Sequence, residues 1–181
     1  KPEPDKTILK IARALENSFD HHAYNIWNTA WLNEVTELQA TSFLVILEVD
    51  KDSVETVFYA MKDKGFSNIY LKPDKKIIET YISELKEAIV VEPMISRAPV
   101  RKLKNVMIPR IEKILVDLYC DDELFFAFQG NQLVKIFKEC FEKYLINFST
   151  MLNYARRRNR EDTLKEFLEL HLPNKVKEII E

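Results

Sequence analysis

The side chains with the most suggestive spacing in this sequence are polar and basic residues near position 155. A helix is predicted over Phe148 to Asn159, because apolar residues recur there at the spacing of one buried face. The opposite face carries, at i, i+3, i+4 and i+7, Asn153, Arg156, Arg157 and Arg160. A row of guanidinium groups can bind phosphates or carboxylates through paired hydrogen bonds. The alternative is an ordinary solvated face, partly neutralised by Glu161 and Asp162.

Two stretches of the chain contain basic residues and no acid. The stretch from Pro93 to Ile111 carries Arg97, Arg101, Lys102, Lys104 and Arg110. The stretch from Lys143 to Arg160 carries Lys143, Arg156, Arg157, Arg158 and Arg160. The whole chain has a net charge of -2, so the chain without these ten positive charges has -12. If the two stretches meet in the fold, they form a surface for a phosphate backbone or an acidic partner.

Nucleotide, metal and thiol chemistry find little support in the sequence. Two glycines in the whole chain provide no glycine-rich phosphate loop. The three histidines lack metal-ligand spacing and are interpreted as surface or core-edge residues: His21, His22 and His171. Cys120 and Cys140 lie in apolar helical settings and are predicted to be buried thiols in a reducing compartment, not a disulfide. Neither a cofactor nor a metal is therefore expected.

An enzymatic alternative rests on acidic residues near the strand Phe43 to Val49. A divergent Mg²⁺-dependent nuclease or a relative of nucleotidyltransferases could use Glu34, Glu37, Glu48 and Asp50. Restriction-type nucleases need an acid two residues before a lysine, whereas Glu48 and Lys51 are three apart and would point to opposite faces of a strand. A capping aspartate and a solvated lysine explain this stretch more simply. We expect no catalytic residues.

The first half of the chain has the pattern of an α/β (α+β) fold. The run FLVILEV at 43–49 is continuously apolar, as a central strand covered on both faces would be. Further strands are predicted at 24–28, 68–71 and 88–91. Three helices are predicted between these strands. The first runs from Trp31 to Leu38, and the second follows an Asp52/Glu55 capping box and ends at Gly65. The third has a set of residues facing inward, namely Ile77, Ile78, Tyr81, Ile82 and Leu85. The helical connections favour a small mixed, mostly parallel sheet. Residues 93–108 are predicted as a loop, with an edge hairpin as the alternative.

The second half is predicted to be all helical. Pro109 suits a first helical turn, and Ile111, Ile114, Leu115 and Leu118 form a buried stripe with Glu112, Lys113 and Asp117 on the other faces. Further stripes follow at Leu133 to Tyr144, Phe148 to Ala155 and Leu164 to Leu168. The predicted organisation is a linker and helix at 1–22, an α/β subdomain at 23–108 and a helical subdomain at 109–181, packed as one unit.

Two stretches carry a family resemblance, NVMIPRIEKILVDLYCDD and INFSTMLNYARRRNREDTLKEFLE. Together they resemble the C-terminal domain of AbiEi-like antitoxins and transcriptional regulators of type IV (abortive-infection) toxin-antitoxin systems. In that family a proline-led helix ends in a Leu-Val-Asp triplet, here Leu115 to Asp117, and a later helix carries a Tyr-Ala-x-Arg-like sequence, here Tyr154 to Arg157. The stretches YNIWNTAWLNEV and FLVILEVDKDSVETVFYAMKDKGF are similar to a Bacteroidetes-like branch of these proteins.

The resemblance implies a non-catalytic regulatory domain. Family members join an upstream winged-helix DNA-binding domain to this domain, support repression of their own operon and counter a nucleotidyltransferase-like toxin without a stable complex. The chain starts at Lys1 with no helix-turn-helix pattern before Ile8, so the winged helix is expected to lie upstream or to be lacking. With no signal peptide and no apolar run long enough to span a membrane, the expected location is the cytoplasm. A plain protein-interaction module is the remaining alternative.

Overall fold

The computed structural model of the chain describes residues 3–19, 23–36 and 40–180. The chain forms two compact units that alternate along the sequence. The first unit contains Lys1–Glu34, Gln39–Met94 and Val100–Ile108, and the second contains Val35–Leu38, Ile95–Pro99 and Pro109–Glu181. Neither unit is therefore one continuous stretch of sequence.

The first unit is built on a mixed, mostly parallel sheet, which confirms the predicted fold class. Its strands are β1 (Tyr24–Asn28), β2 (Phe43–Val49), β3 (Ile69–Leu71) and β4 (Glu87–Pro93), in the order β1-β2-β4-β3. β2 pairs antiparallel with β1 and parallel with β4, and β3 pairs parallel with β4.

The predicted helix from Trp31 is a short 3-10 helix, Thr29–Glu34. The Thr29 hydroxyl accepts the Leu44 N–H at 2.9 Å and ties this turn to β2; residues 37 and 38 lie outside the described ranges.

One face of the sheet packs against two helices, α1 (Lys6–Glu16) and α2 (Val54–Asp63). The buried cluster there includes Ile8, Ile11, Ile26, Val45, Leu47, Val57, Met61 and Val91.

α2 ends as predicted: Gly65 has φ +83°, its N–H donates to Lys62 O at 2.9 Å, and Phe66 N–H donates to Met61 O at 3.1 Å. The predicted capping box is wrong. Ser53 is the N-cap and makes no side-chain capping hydrogen bond, because Asp50 accepts the Asp52 N–H at 3.0 Å and holds Asp52 in a preceding turn.

The helix predicted around Ile78 turns a different set of residues toward the core from the set that was predicted. α3 (Lys75–Ile77) is capped by Asp74, which accepts the Ile77 N–H at 2.8 Å, and it continues as a π-helical turn over Ile78–Ile82. The wider turn keeps Ile78 and Ile82 buried and moves Tyr81 outward, where it is 60% exposed. The prediction that Tyr81 faces inward is therefore wrong.

Residues 100–109 form a separate two-stranded hairpin, which confirms the hairpin alternative. β5 (Val100–Leu103) and β6 (Val106–Pro109) are joined by Lys104 and Asn105 with φ values of 50° and 64°. Two consecutive positive φ values suit a tight hairpin turn. Pro109 ends β6 and Arg110 is the N-cap of the following helix, so the placement of Pro109 in a first helical turn is wrong.

The second unit is helical after Pro109, as predicted. It contains α4 (Ile111–Cys120), a 3-10 turn at Phe126–Phe128, α5 (Asn131–Lys143), α6 (Phe148–Arg157), α7 (Glu161–His171) and α8 (Pro173–Ile180). Its buried residues include Leu115, Leu118, Ile136, Phe137, Cys140, Met151, Ala155, Leu164 and Leu168. Across the described ranges, none of the helices is both long and apolar enough to span a membrane.

Candidate functional site

The predicted arginine row is interrupted by the end of α6. The helix starts at the Asn147 cap, whose side chain accepts the Thr150 N–H at 2.8 Å, and ends at Arg157. Asn159 then adopts φ +55°, and the Arg160 N–H donates to Ala155 O at 2.9 Å, which reverses the chain. The prediction that Arg160 continues the face of Arg156 is therefore wrong. Asn153, Arg156 and Arg157 remain on the helix, and all three are exposed.

The guanidinium group of Arg156 is held by a carboxylate. Arg156 Nη2 donates to Glu161 Oε1 at 2.9 Å, and its Nε donates to Glu161 Oε2. Lys165 pairs with the same carboxylate at 2.9 Å. The hydrogen bonds from Arg156 and Lys165 lower the pKa of Glu161 to about 2. Glu161 thus occupies the paired-donor geometry that a phosphate would use on Arg156.

Arg157 connects the two basic stretches of the sequence. Its Nη1 lies 3.4 Å from the Ser96 hydroxyl oxygen, and both residues belong to the second unit. Arg97 is the neighbour of Ser96, is exposed and has φ +56°. We call Ser96, Arg97, Asn153 and Arg157 the basic surface. Here the segment Ile95–Pro99 and the end of α6 are brought together, which periodicity alone did not reveal.

The other predicted cations lie on the hairpin of the first unit. Arg101, Lys102 and Lys104 are exposed, and Lys104 Nζ pairs with Glu3 at 2.8 Å. Arg97 belongs to the second unit and these three residues belong to the first. The set predicted from one acid-free stretch is therefore divided between the two units.

A buried charge network, missed in the sequence, lies between α4 and α6. Lys113 is 0% exposed and Asp117 is 4% exposed, so the helix faces on which they were predicted are buried as well as the apolar stripe. Lys113 Nζ donates to Asp117 Oδ2, and Tyr154 OH donates to Asp117 Oδ1 at 2.9 Å. Glu112 is also buried and accepts the Asn147 N–H at 2.8 Å. The Tyr154 ring also lies 5.6 Å from the Lys113 ammonium. α4 is covered on nearly all sides, unlike a surface helix.

Arg158 extends this network. Its Nη1 donates to Asp117 Oδ1 at 2.5 Å and its Nη2 donates to Asp121 Oδ1 at 2.6 Å. Burial lowers the pKa of Arg158, but the hydrogen bond to Asp121 and the charges of Asp117 and Asp121 raise it, and the net shift is upward. Burial raises the pKa of Asp121, against the lowering effect of Arg158. Arg158 therefore fixes α6 to α4, and the consecutive arginines at 156–158 have three different environments.

Cysteine, histidine and acidic candidates form no reactive centre in the described ranges. Both cysteines are free, and burial raises the pKa of Cys120 to about 11 and of Cys140 to about 12. The centre of the His171 ring lies 4.8 Å from that of the Phe167 ring, with the two planes tilted by 56°, whereas His21, His22 and Glu37 lie outside the described residues. Glu48 is 7% exposed, and Glu34 and Asp50 are exposed. Among the residues described, no group of three or more His, Cys, Asp or Glu side chains could hold a metal ion.

Comparison with known families extends over almost the whole chain. A family model described as a family of unknown function, DUF6577, matches residues 1–174. The chain belongs to the DUF6577 family. No curated protein matches it significantly, and no solved structure does.

Proposed function

We propose that this DUF6577 member is a cytoplasmic, non-catalytic regulatory domain whose basic surface contacts the DNA backbone. By its resemblance to AbiEi-like antitoxins, the same proposal includes support of operon autorepression, alongside a winged-helix reader, and action against a nucleotidyltransferase-like toxin. No catalytic or metal-binding role is assigned to its side chains.

The observation that supports DNA contact is the Arg157–Ser96 hydrogen bond. It joins the two acid-free basic stretches within one unit and sets Arg97 beside the end of α6. Arginine presents a planar fork of donors that suits phosphate oxygens, and a surface hydroxyl and amide, here Ser96 and Asn153, add uncharged donors. The hairpin cations Arg101 and Lys102 are a further exposed basic group, in the first unit.

The expected DNA affinity is low and independent of sequence. Arg158 is engaged in the buried network and Arg156 is engaged by Glu161, so two of the consecutive arginines are already paired. Few phosphate contacts remain, and binding without base contacts typically has a Kd of roughly 10⁻⁴ to 10⁻⁶ M at physiological salt. A domain of this kind adds affinity to a sequence-reading partner domain and does not choose the operator.

The test is fluorescence anisotropy of a labelled DNA duplex titrated with the full chain at several salt concentrations. Arg97→Gln/Arg157→Gln is compared with Arg13→Gln/Lys138→Gln, which removes the same charge from exposed positions elsewhere. If two phosphate contacts are lost, the slope of log K against log salt falls in magnitude by about two in the first variant.

The control variant distinguishes DNA binding by the basic surface from a general effect of the protein's positive charge. We expect it to retain the salt slope of the natural sequence, and circular dichroism checks that both variants are folded. Equal weakening in the two variants, or no binding by the natural sequence at low salt, would overturn the proposal.

A further inference from the structure

An open cleft of about 460 Å³ lies in the first unit. It is bordered by α1, by the loop that follows α2, and by the starts of β2 and β4. Its volume is within the range of roughly 300–1,000 Å³ common for small-molecule sites. The residues used below are Thr7, Lys10, Phe66, Asn68, Lys86 and Glu87.

Two lysines provide positive charge in this cleft. The Lys10 ammonium lies 4.8 Å from the centre of the Phe66 ring, within the range of a cation–π contact. Lys86 is exposed at the start of β4, where its carbonyl accepts the Phe43 N–H at 3.0 Å. Among the described residues, neither lysine forms an ion pair with a carboxylate, in contrast to Lys104 and Lys113. Both charges therefore remain available to a ligand.

Glu87 is the one acid among the described residues that line the cleft, and it already accepts hydrogen bonds from protein donors. Glu87 Oε1 accepts the Thr7 hydroxyl at 3.0 Å, and Glu87 Oε2 accepts Asn28 Nδ2 at 3.3 Å. Asn28 Nδ2 also donates to Asp5 Oδ2 at 3.0 Å. These uncharged donors hold the carboxylate in place. The lining carries two lysines against this one carboxylate, and this excess of positive charge favours an anion.

The wall of the cleft is fixed before any ligand binds. Phe66 is half-buried beside Gly65, where the α2 cap sets the backbone direction. Asn68 has φ +53°, and its carbonyl accepts the Ile89 N–H from β4 at 2.8 Å. A loop anchored at both ends loses little entropy on binding, which favours a small ligand.

We propose that this cleft binds a small planar molecule that carries an anionic group. The ring takes the place of the Lys10 ammonium over Phe66, and this ammonium and that of Lys86 contact the anion. A nucleoside monophosphate and an aromatic carboxylate share this chemistry. The cleft residues belong to the first unit and the basic surface belongs to the second, and this proposal does not depend on the DNA-binding proposal.

Isothermal titration calorimetry on the full chain tests the proposal with AMP, adenosine, 4-hydroxybenzoate and inorganic phosphate. Lys10→Gln and Lys86→Gln each remove one cleft charge, and Arg157→Gln removes one charge from the basic surface as a matched control. We expect AMP or 4-hydroxybenzoate to bind, each lysine variant to weaken that binding about tenfold, as one lost charge-assisted contact would, and Arg157→Gln to leave it unchanged.

The probes also identify the source of the anion. Binding of AMP alone indicates a nucleotide, binding of 4-hydroxybenzoate alone indicates an aromatic carboxylate, and either result supports the proposal. The proposal is overturned if neither binds, if adenosine binds as tightly as AMP without 4-hydroxybenzoate binding, if inorganic phosphate binds as tightly as the aromatic anions, or if Arg157→Gln weakens binding as much as the lysine variants.

Discussion

Among single residues, Asp117 is the acceptor on which the buried charges of the second unit converge. It receives hydrogen bonds from Lys113, Tyr154 and Arg158 while only 4% of its surface is exposed. Asp117→Asn keeps the shape and removes the charge between two cations. Loss of one member of a buried ionic network typically costs about 3–5 kcal/mol, so we expect urea unfolding to report a destabilisation of that order.

The matched control for this variant is Asp122→Asn. Asp122 is exposed in the turn that follows the same helix, and exposed charges typically contribute less than about 1 kcal/mol. A destabilisation equal to that of Asp122→Asn would mean that the network adds nothing to stability.

Asn25, unlike Asp117, is a buried polar residue whose side chain is not hydrogen-bonded within the described ranges. It is 0% exposed on β1, and within the described ranges neither Oδ1 nor Nδ2 has a hydrogen-bond partner. An unsatisfied buried amide costs about 1–3 kcal/mol, so Asn25→Leu is expected to raise the free energy of unfolding by about 1 kcal/mol after some loss from imperfect packing. Thermal unfolding measures the effect, with Asn33→Leu as an exposed control; a lower melting temperature for Asn25→Leu would show that the amide is satisfied in solution.

Among the elements, the turn from α6 to α7 determines which arginines can meet a ligand. Glu161 holds Arg156 through both carboxylate oxygens. Glu161→Gln releases this guanidinium, and we expect DNA affinity to rise roughly threefold to tenfold at low salt, with about one more counterion released. Anisotropy titrations at several salt concentrations measure both quantities.

Asp162→Asn is the control for Glu161→Gln, because it changes the charge equally at the next, exposed position. If the two variants raise the affinity equally, long-range charge explains the effect and Arg156 is not held back by Glu161.

Residues that favour a positive φ mark the ends of helices in this chain. One of them led to a correct prediction, and another was not recognised. Gly65 marked the end of α2 correctly, since glycine readily adopts a positive φ. Asn159 carries the same signal, because asparagine tolerates the left-handed region, and the acids after it suit the start of a new helix. The regular spacing of the arginines hid that signal and led to the placement of Arg160 on α6. No sequence pattern indicated the π-helical turn that exposes Tyr81.

The alternating strands and helices predicted the sheet, but not which charges would be buried. Lys113 and Asp117 are one helical turn apart, as in a common solvent-exposed pair, and nothing local separates that arrangement from a buried one. Their burial depends on Tyr154 and Arg158, about 40 positions later in the chain. The cleft lined by Lys10 and Lys86 was missed for the same reason, since its residues are distant in sequence.

For the whole molecule, the path of the chain between the two units limits where it can be divided. The segment Ile95–Pro99 belongs to the second unit, where Pro99 O accepts the Arg110 N–H at 2.9 Å. Thr36 also belongs there and donates to Gln132 Oε1 at 2.8 Å. A fragment of residues 109–181 lacks both contacts. A fragment of 95–181 regains the first contact but carries Val106 and Ile108, which are buried in the core of the first unit.

We therefore expect neither fragment to reproduce the stability of the full chain. The 109–181 fragment should unfold at a lower urea concentration, because its lost contacts are not replaced, and the 95–181 fragment should associate through the exposed hairpin residues. Urea titration followed by circular dichroism and light scattering distinguishes these outcomes. If 109–181 unfolds with the midpoint of the helical signal in the full chain, its helices form an independent domain and the interleaved segments contribute little to its stability.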